Sequence, residues 1–153
     1  MSTHSAKVCL DASTVLAFAL PDEPLADEAA ALMEKLASQN TIICAPALFA
    51  YECNSVIRLR LYKGSVTDVQ AQNARAVINA LPIELEYDAV NGERAFQIAC
   101  DYGQPRAYDV AYAAYAESRG VDLITADRPF FEAVNGSKRP RTKSPLSFVK
   151  LLS

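Results

Sequence analysis

Short apolar runs alternating with helix-length segments restrict what this chain can fold into. Lys7 to Leu10 reads as a buried strand and Thr41 to Cys44 and Val121 to Thr125 as further strands, while Ile83 to Tyr87 alternates apolar and acidic residues, as a half-exposed or edge strand does. Between them, Pro24 to Ser38 carries Leu25, Ala29, Leu32 and Leu36 at helical spacing. Pro46 opens a helix to about Lys63 that Gly64 stops, and Val66 to Ala80 forms another that Pro82 ends. Asp88 caps a helix to about Asp101, with Gly103 as its stop. Pro105 to Arg119 is an Ala- and Tyr-rich helix closed by Gly120, and a short helix begins at Pro129. Parallel strands need helical crossovers, so this order predicts an α/β sandwich with a mainly parallel central sheet.

The 153 residues, 51% of them apolar, suffice for one buried core, and neither a linker nor a repeat divides them. One domain over 1–153 is expected, with residues 1–6 as a flexible tail. The longest uncharged run, Leu36 to Tyr51, has 16 residues and is broken by Pro46, whereas a membrane span needs ~20 apolar residues. Val8-Cys9-Leu10 is too short for a signal-peptide core, so the expected compartment is the cytoplasm.

What the chain lacks narrows its chemistry. The one histidine, His4, stands in the polar N-terminal tail, which argues against a Ser-His-Asp triad or a histidine-rich metal site. Isolated glycines exclude the Gly-rich phosphate loops. Cys9, Cys44, Cys53 and Cys100 form no Cys-x-x-Cys pair and read as small buried hydrophobes. If the chain is an enzyme, carboxylates must carry the reaction.

Most of the 18 acids have a simple explanation. Asp22, Glu23, Asp27, Glu28 and Glu34 decorate a solvated helix or its start, and Glu84 and Glu86 point outward from a strand. Four others are less easily placed. Asp11 follows the first strand, at the carboxyl end where open α/β sheets bind ligands, although it could equally cap a helix starting near Ser13. Asp127 lies two residues past Thr125 and could likewise cap the helix at Pro129. Glu52 shares the apolar stripe of Leu48, Val56 and Leu59, where an unpaired charge is costly unless an arginine such as Arg58 or Arg106, or a cation, meets it. Asp109 precedes Tyr112, Ala113 and Ala116 on a packed face, or simply favours a helix N-terminus. Gathered in one crevice, four such carboxylates repel unless a divalent, oxygen-seeking cation joins them. Such a site can activate water against a phosphodiester without histidine.

The segments Leu-Asp11-Ala-Ser13, Tyr-Glu52, Ala-Tyr-Asp109 and Leu-Ile-Thr125-Ala-Asp127, taken in order over nearly the whole chain, resemble the PIN-domain family, and within it the VapC-like ribonuclease toxins of toxin–antitoxin pairs. The resemblance implies a three-layer α/β/α sandwich and a Mg²⁺- or Mn²⁺-dependent endoribonuclease. It makes Asp11 and Asp109 metal ligands, with Glu52 and Asp127 completing the catalytic cluster. Ser13 and Thr125 take supporting positions, or serve only as a helix-capping residue and a strand end. It also implies an RNA substrate, a small antitoxin as partner, and a homodimer for which the helices from Pro46 to Ala80 offer interface.

The net charge is −3, but the last 21 residues carry +5 and the first 132 carry −8. Arg58, Arg60, Lys63, Arg106, Arg128 and the basic tail are candidates for phosphate contact, or ordinary surface charges. Tyr108 either stacks on a base or packs in the core. A structure-specific DNA nuclease and a non-catalytic binding module are the competing readings. A phosphotransferase is disfavoured because no lysine neighbours the strand-end acids.

Overall fold

The computed structural model describes residues 5–87 and 91–153. Residues 1–4, with His4, and the proposed cap Asp88 lie outside them. In chain order the elements are β1 (Lys7–Leu10), α1 (Ala12–Ala19), α2 (Ala26–Ser38), β2 (Ile42–Pro46), α3 (Leu48–Tyr62), α4 (Asp68–Ala80), β3 (Ile83–Glu86) and α5 (Gly92–Asp101). A 3₁₀ turn (Ala107–Val110) then leads into α6 (Ala111–Arg119), β4 (Asp122–Thr125), α7 (Arg128–Val134) and β5 (Val149–Leu151).

The described strands form one all-parallel sheet in the order β3-β2-β1-β4-β5. Right-handed crossovers place α1 to α4 on one face and α5 to α7 on the other, giving the three-layer α/β/α sandwich. Packing agrees, since α1 meets α2, α3 and α4, whereas α5 meets α6. Helices on both faces bury β1 from Val8 to Leu10, as an all-parallel sheet requires. Ile98 and Tyr115 beneath the sheet and Val15 above it are fully buried. None of the helices described is long and apolar enough to cross a membrane.

Several local expectations change. Pro46 closes β2 rather than opening α3, because it sits in register with Glu86 of β3 while Ala47 starts the helical turn. The helix expected from Pro105 to Arg119 is in two parts. Arg106 is extended, and the tight turn after it sends Val110 wholly into the core. α6 begins only at Ala111 and closes on Gly120 at φ +64°, a conformation glycine reaches without steric cost. Part of the basic tail becomes edge strand β5, with Val149 buried and paired to Leu123. Cys9, Cys44 and Cys53 are buried, but Cys100 is exposed.

The strand order reverses beside β1. The chain leaves β1 for β2 and β3 on one side, then returns to β4 on the other. Between the carboxyl ends of β1 and β4 the connections diverge, and a crevice opens there.

Candidate active site

The crevice is a cavity of about 460 Å³, and Asp11, Glu52, Asp109 and Asp127 all line it. Each arrives from a different element. Asp11 leaves β1, Asp127 follows β4, Glu52 projects from α3, and Asp109 stands in the 3₁₀ turn.

Asp11 and Asp127 do cap helices. Asp11 Oδ1 accepts from Thr14 N at 3.0 Å, and Asp127 Oδ1 accepts from Phe130 N at 3.0 Å. Capping and cavity lining coexist here, because a helix N-terminus at a strand's carboxyl end directs its cap toward the crevice. One oxygen of each carboxylate is thereby fixed before any ligand arrives.

Ser13 and Thr125 tie the two strand ends together. Ser13 Oγ donates to Asp11 Oδ1 at 2.7 Å and accepts from Ala126 N at 3.0 Å, with Thr125 Oγ1 3.4 Å away. Thr125 Oγ1 accepts from Asp127 N at 3.0 Å, and Thr14 Oγ1 donates to the Ile124 carbonyl at 2.9 Å. Asp11 is 7% exposed and Thr125 fully buried, so the network is shielded from water.

Glu52 makes no ion pair with Arg58 or Arg106. Its Oε2 accepts a hydrogen bond from the Tyr112 hydroxyl. Arg58 instead lies over the Tyr62 ring, 5.5 Å from its centroid. Arg106 lies over Tyr108, 5.5 Å from that centroid, with its Nε 4.0 Å from Asp109 Oδ2. Tyr108 is therefore a half-exposed surface ring, not a core residue. The ion pairs among the described residues leave Asp11, Glu52 and Asp127 without a cationic partner.

The electrostatics follow from this geometry. Burial pushes the Asp11 carboxyl above its ordinary range, against hydrogen bonds from Thr125, Ser13 and Thr14 that pull it down. Burial likewise raises Glu52. The Tyr112 hydroxyl opposes that rise, and the charges of Asp11 and Asp109 add to it. Burial also pushes the Tyr112 phenol far up, so it remains a donor.

One acid in the cavity is not apparent from the sequence. Glu23, expected on a solvated helix start, lines the wall and pairs with Arg60. Its signal is the pair of prolines, Pro21 and Pro24, that stiffens the turn presenting it. The role of Tyr112 is hidden because its ring belongs to the apolar stripe of α6, and the sequence alone does not show where its hydroxyl ends.

Among the described residues, no three His, Cys, Asp or Glu side chains converge to hold a metal ion by themselves. The donors nevertheless suit one kind of ion. Mg²⁺ and Mn²⁺ favour oxygen, and Mg²⁺ retains several waters and needs only one or two carboxylates. Burial raises Asp11, burial together with the charges of Asp11 and Asp109 raises Glu52, and a cation of this kind relieves both. The residues fit a hydrated divalent ion, not a closed protein cage.

A parallel sheet with four carboxylates lining the crevice at its switch point defines an α/β domain whose acidic cavity sits where such sheets bind ligands. A PIN domain family model matches residues 8–136, and the chain belongs to the PIN domain family. PIN domains are generally nucleases, usually bind divalent metals, and so point to nucleic acid as ligand. The fold is similar to the crystal structure of PAE2754 from Pyrobaculum aerophilum, with a TM-score of 0.59, 21% identity, and coverage of 86% of this chain and 81% of that one. No relative among functionally curated proteins matches the chain.

Proposed function

We propose that this protein is a Mg²⁺- or Mn²⁺-dependent endoribonuclease, acting as the toxin of a toxin–antitoxin pair, with a small antitoxin as partner and a homodimeric assembly. The observation that carries the nuclease reading is the meeting of four acids from separate elements in one cavity, three of them without a cationic partner among the described residues. Asp11 and Asp109 would hold the ion, with Glu52 and Asp127 completing the acidic cluster. A divalent cation, when bound, supplies an activated water and offsets charge building on the phosphodiester.

The chain's own residues do the positioning. Ser13 and Thr14 fix one Asp11 oxygen, leaving the other for the cavity. Phe130 N does the same for Asp127. Glu52, raised by burial and held by Tyr112, can take a proton near neutral pH more readily than an exposed glutamate. In the hydrolysis, water attacks phosphorus, the bond from phosphorus to the 3′-oxygen breaks, and a 5′-phosphate and a 3′-hydroxyl result. The toxin role rests on the VapC-like resemblance of the acid-bearing segments.

The test is purified protein with RNA oligonucleotides and, in parallel, DNA flaps. Cleavage of RNA with Mn²⁺ or Mg²⁺, abolished by EDTA and by Asp11→Asn, is the expected result. Preference for DNA junctions would replace the RNA assignment, and absence of cleavage on either substrate would leave a binding module. Induced expression should arrest growth with the wild type but not with Asp11→Asn, and continued growth with both would remove the toxin role.

A further inference from the structure

Arg60 is the one cation among the described residues lining the acidic cavity, and it stands in the last turn of α3. Its Nη2 lies 2.5 Å from Glu23 Oε1. Glu23 comes from the turn between α1 and α2, with Pro21 and Pro24 on either side and Asp22 at φ 58°, in the left-handed region. Two fixed proline φ angles stiffen this turn, so Glu23 is an anchored partner. Exposure has the same asymmetry, at 15% for the Glu23 side chain and 39% for Arg60.

Glu23 is the guanidinium's one polar partner among the described residues. A guanidinium has five N–H donors in a planar fork, so donors remain for a second anion. Arg60 neutralises none of Asp11, Glu52, Asp109 or Asp127. An acidic cavity repels a polyanion, and a cation tethered in its wall, apart from the four acids, counters that repulsion where the strand must enter.

Building on the ribonuclease reading above, we propose that Arg60 binds a backbone phosphate of the RNA flanking the cleaved bond, and that Glu23 is the positioning residue that aims it. Steady-state cleavage of a single-stranded RNA, measured across a salt series, tests this. Arg60→Ala should raise KM about tenfold or more while leaving kcat nearly unchanged. It should also lower the slope of log KM against log salt by about 0.7, as expected when the protein neutralises one phosphate fewer on a single strand. Arg60→Lys keeps the charge without the fork and should recover only part of the loss. Glu23→Gln should raise KM in the wild-type background and add nothing in Arg60→Ala. A purely structural ion pair would instead lower the melting temperature of both variants and leave KM and the salt slope unmoved, which overturns the proposal while the nuclease reading stands. A wild-type protein that neither binds nor cleaves RNA overturns both.

Discussion

Asp11 combines two roles that a pair of substitutions separates. In the structure its Oδ1 holds Thr14 N at 3.0 Å and Ser13 Oγ at 2.7 Å. Asp11→Ala removes both bonds. Loss of an N-cap costs about 1 kcal/mol, and depriving Ser13 of its acceptor costs about 1 kcal/mol more. For a chain of this size each kcal/mol lowers the melting temperature by about 2–4 °C, so the alanine variant should melt about 4–8 °C below the wild type. Asparagine caps as well as aspartate and keeps an oxygen for both donors, so Asp11→Asn should melt within about 2 °C of the wild type. The two variants should then agree where the metal matters. Tenfold Mg²⁺ over its Kd contributes about 1.4 kcal/mol, raising the wild-type melting temperature by about 3–6 °C. Neither variant should show that rise, and neither should cleave RNA. Calorimetry with and without Mg²⁺, beside a cleavage assay, reads all of this. Equal melting of the two variants would refute the capping argument, and an undiminished Mg²⁺ response in Asp11→Asn would refute Asp11 as a ligand.

Three further outcomes follow from the same site. Asp11 and Glu52 have raised carboxyl pKa values, so the folded state holds their protons more tightly than the unfolded one. Their stabilising contribution is full below the unfolded carboxylate range, at about pH 4, and is lost as pH rises through the raised folded values. Without divalent ions, urea midpoints between about pH 5 and pH 8 should therefore fall more steeply for the wild type than for Glu52→Gln, and equal slopes would contradict the electrostatic account. Tyr112→Phe removes the hydroxyl that holds Glu52 down, so the acid limb of the pH–rate profile should move to higher pH, with about 1 kcal/mol lost from the fold. A limb that stays in place would show that Glu52 does not govern it. Ser13→Ala leaves Ala126 N without its acceptor and takes one of the donors from Asp11, so Mg²⁺ affinity from thermal-shift titration should fall about tenfold or more. An unchanged titration would confine Ser13 to a structural part.

The sequence was sufficient wherever a local rule was decisive. The buried strands β1 and β2, an edge strand over Ile83–Glu86 and the glycine stop at Gly120 follow from periodicity and backbone sterics, which act over a few residues. The parallel sheet then follows from chain order, since each strand is separated from the next by helices. Local rules also picked out Asp11, Glu52, Asp109 and Asp127 as acids in unusual places, but not as neighbours. Their meeting in one cavity depends on the reversal of strand order between β1 and β4, and residues more than a hundred positions apart are joined only by that reversal. The same dependence explains Glu23. Its sequence surroundings are those of any solvated helix start, and only the packing of α1 against α3 brings it to Arg60. Which acids are out of place is a local property of the chain. Which of them share a field is a property of the assembled fold, because Coulomb forces act through space without regard to separation along the backbone.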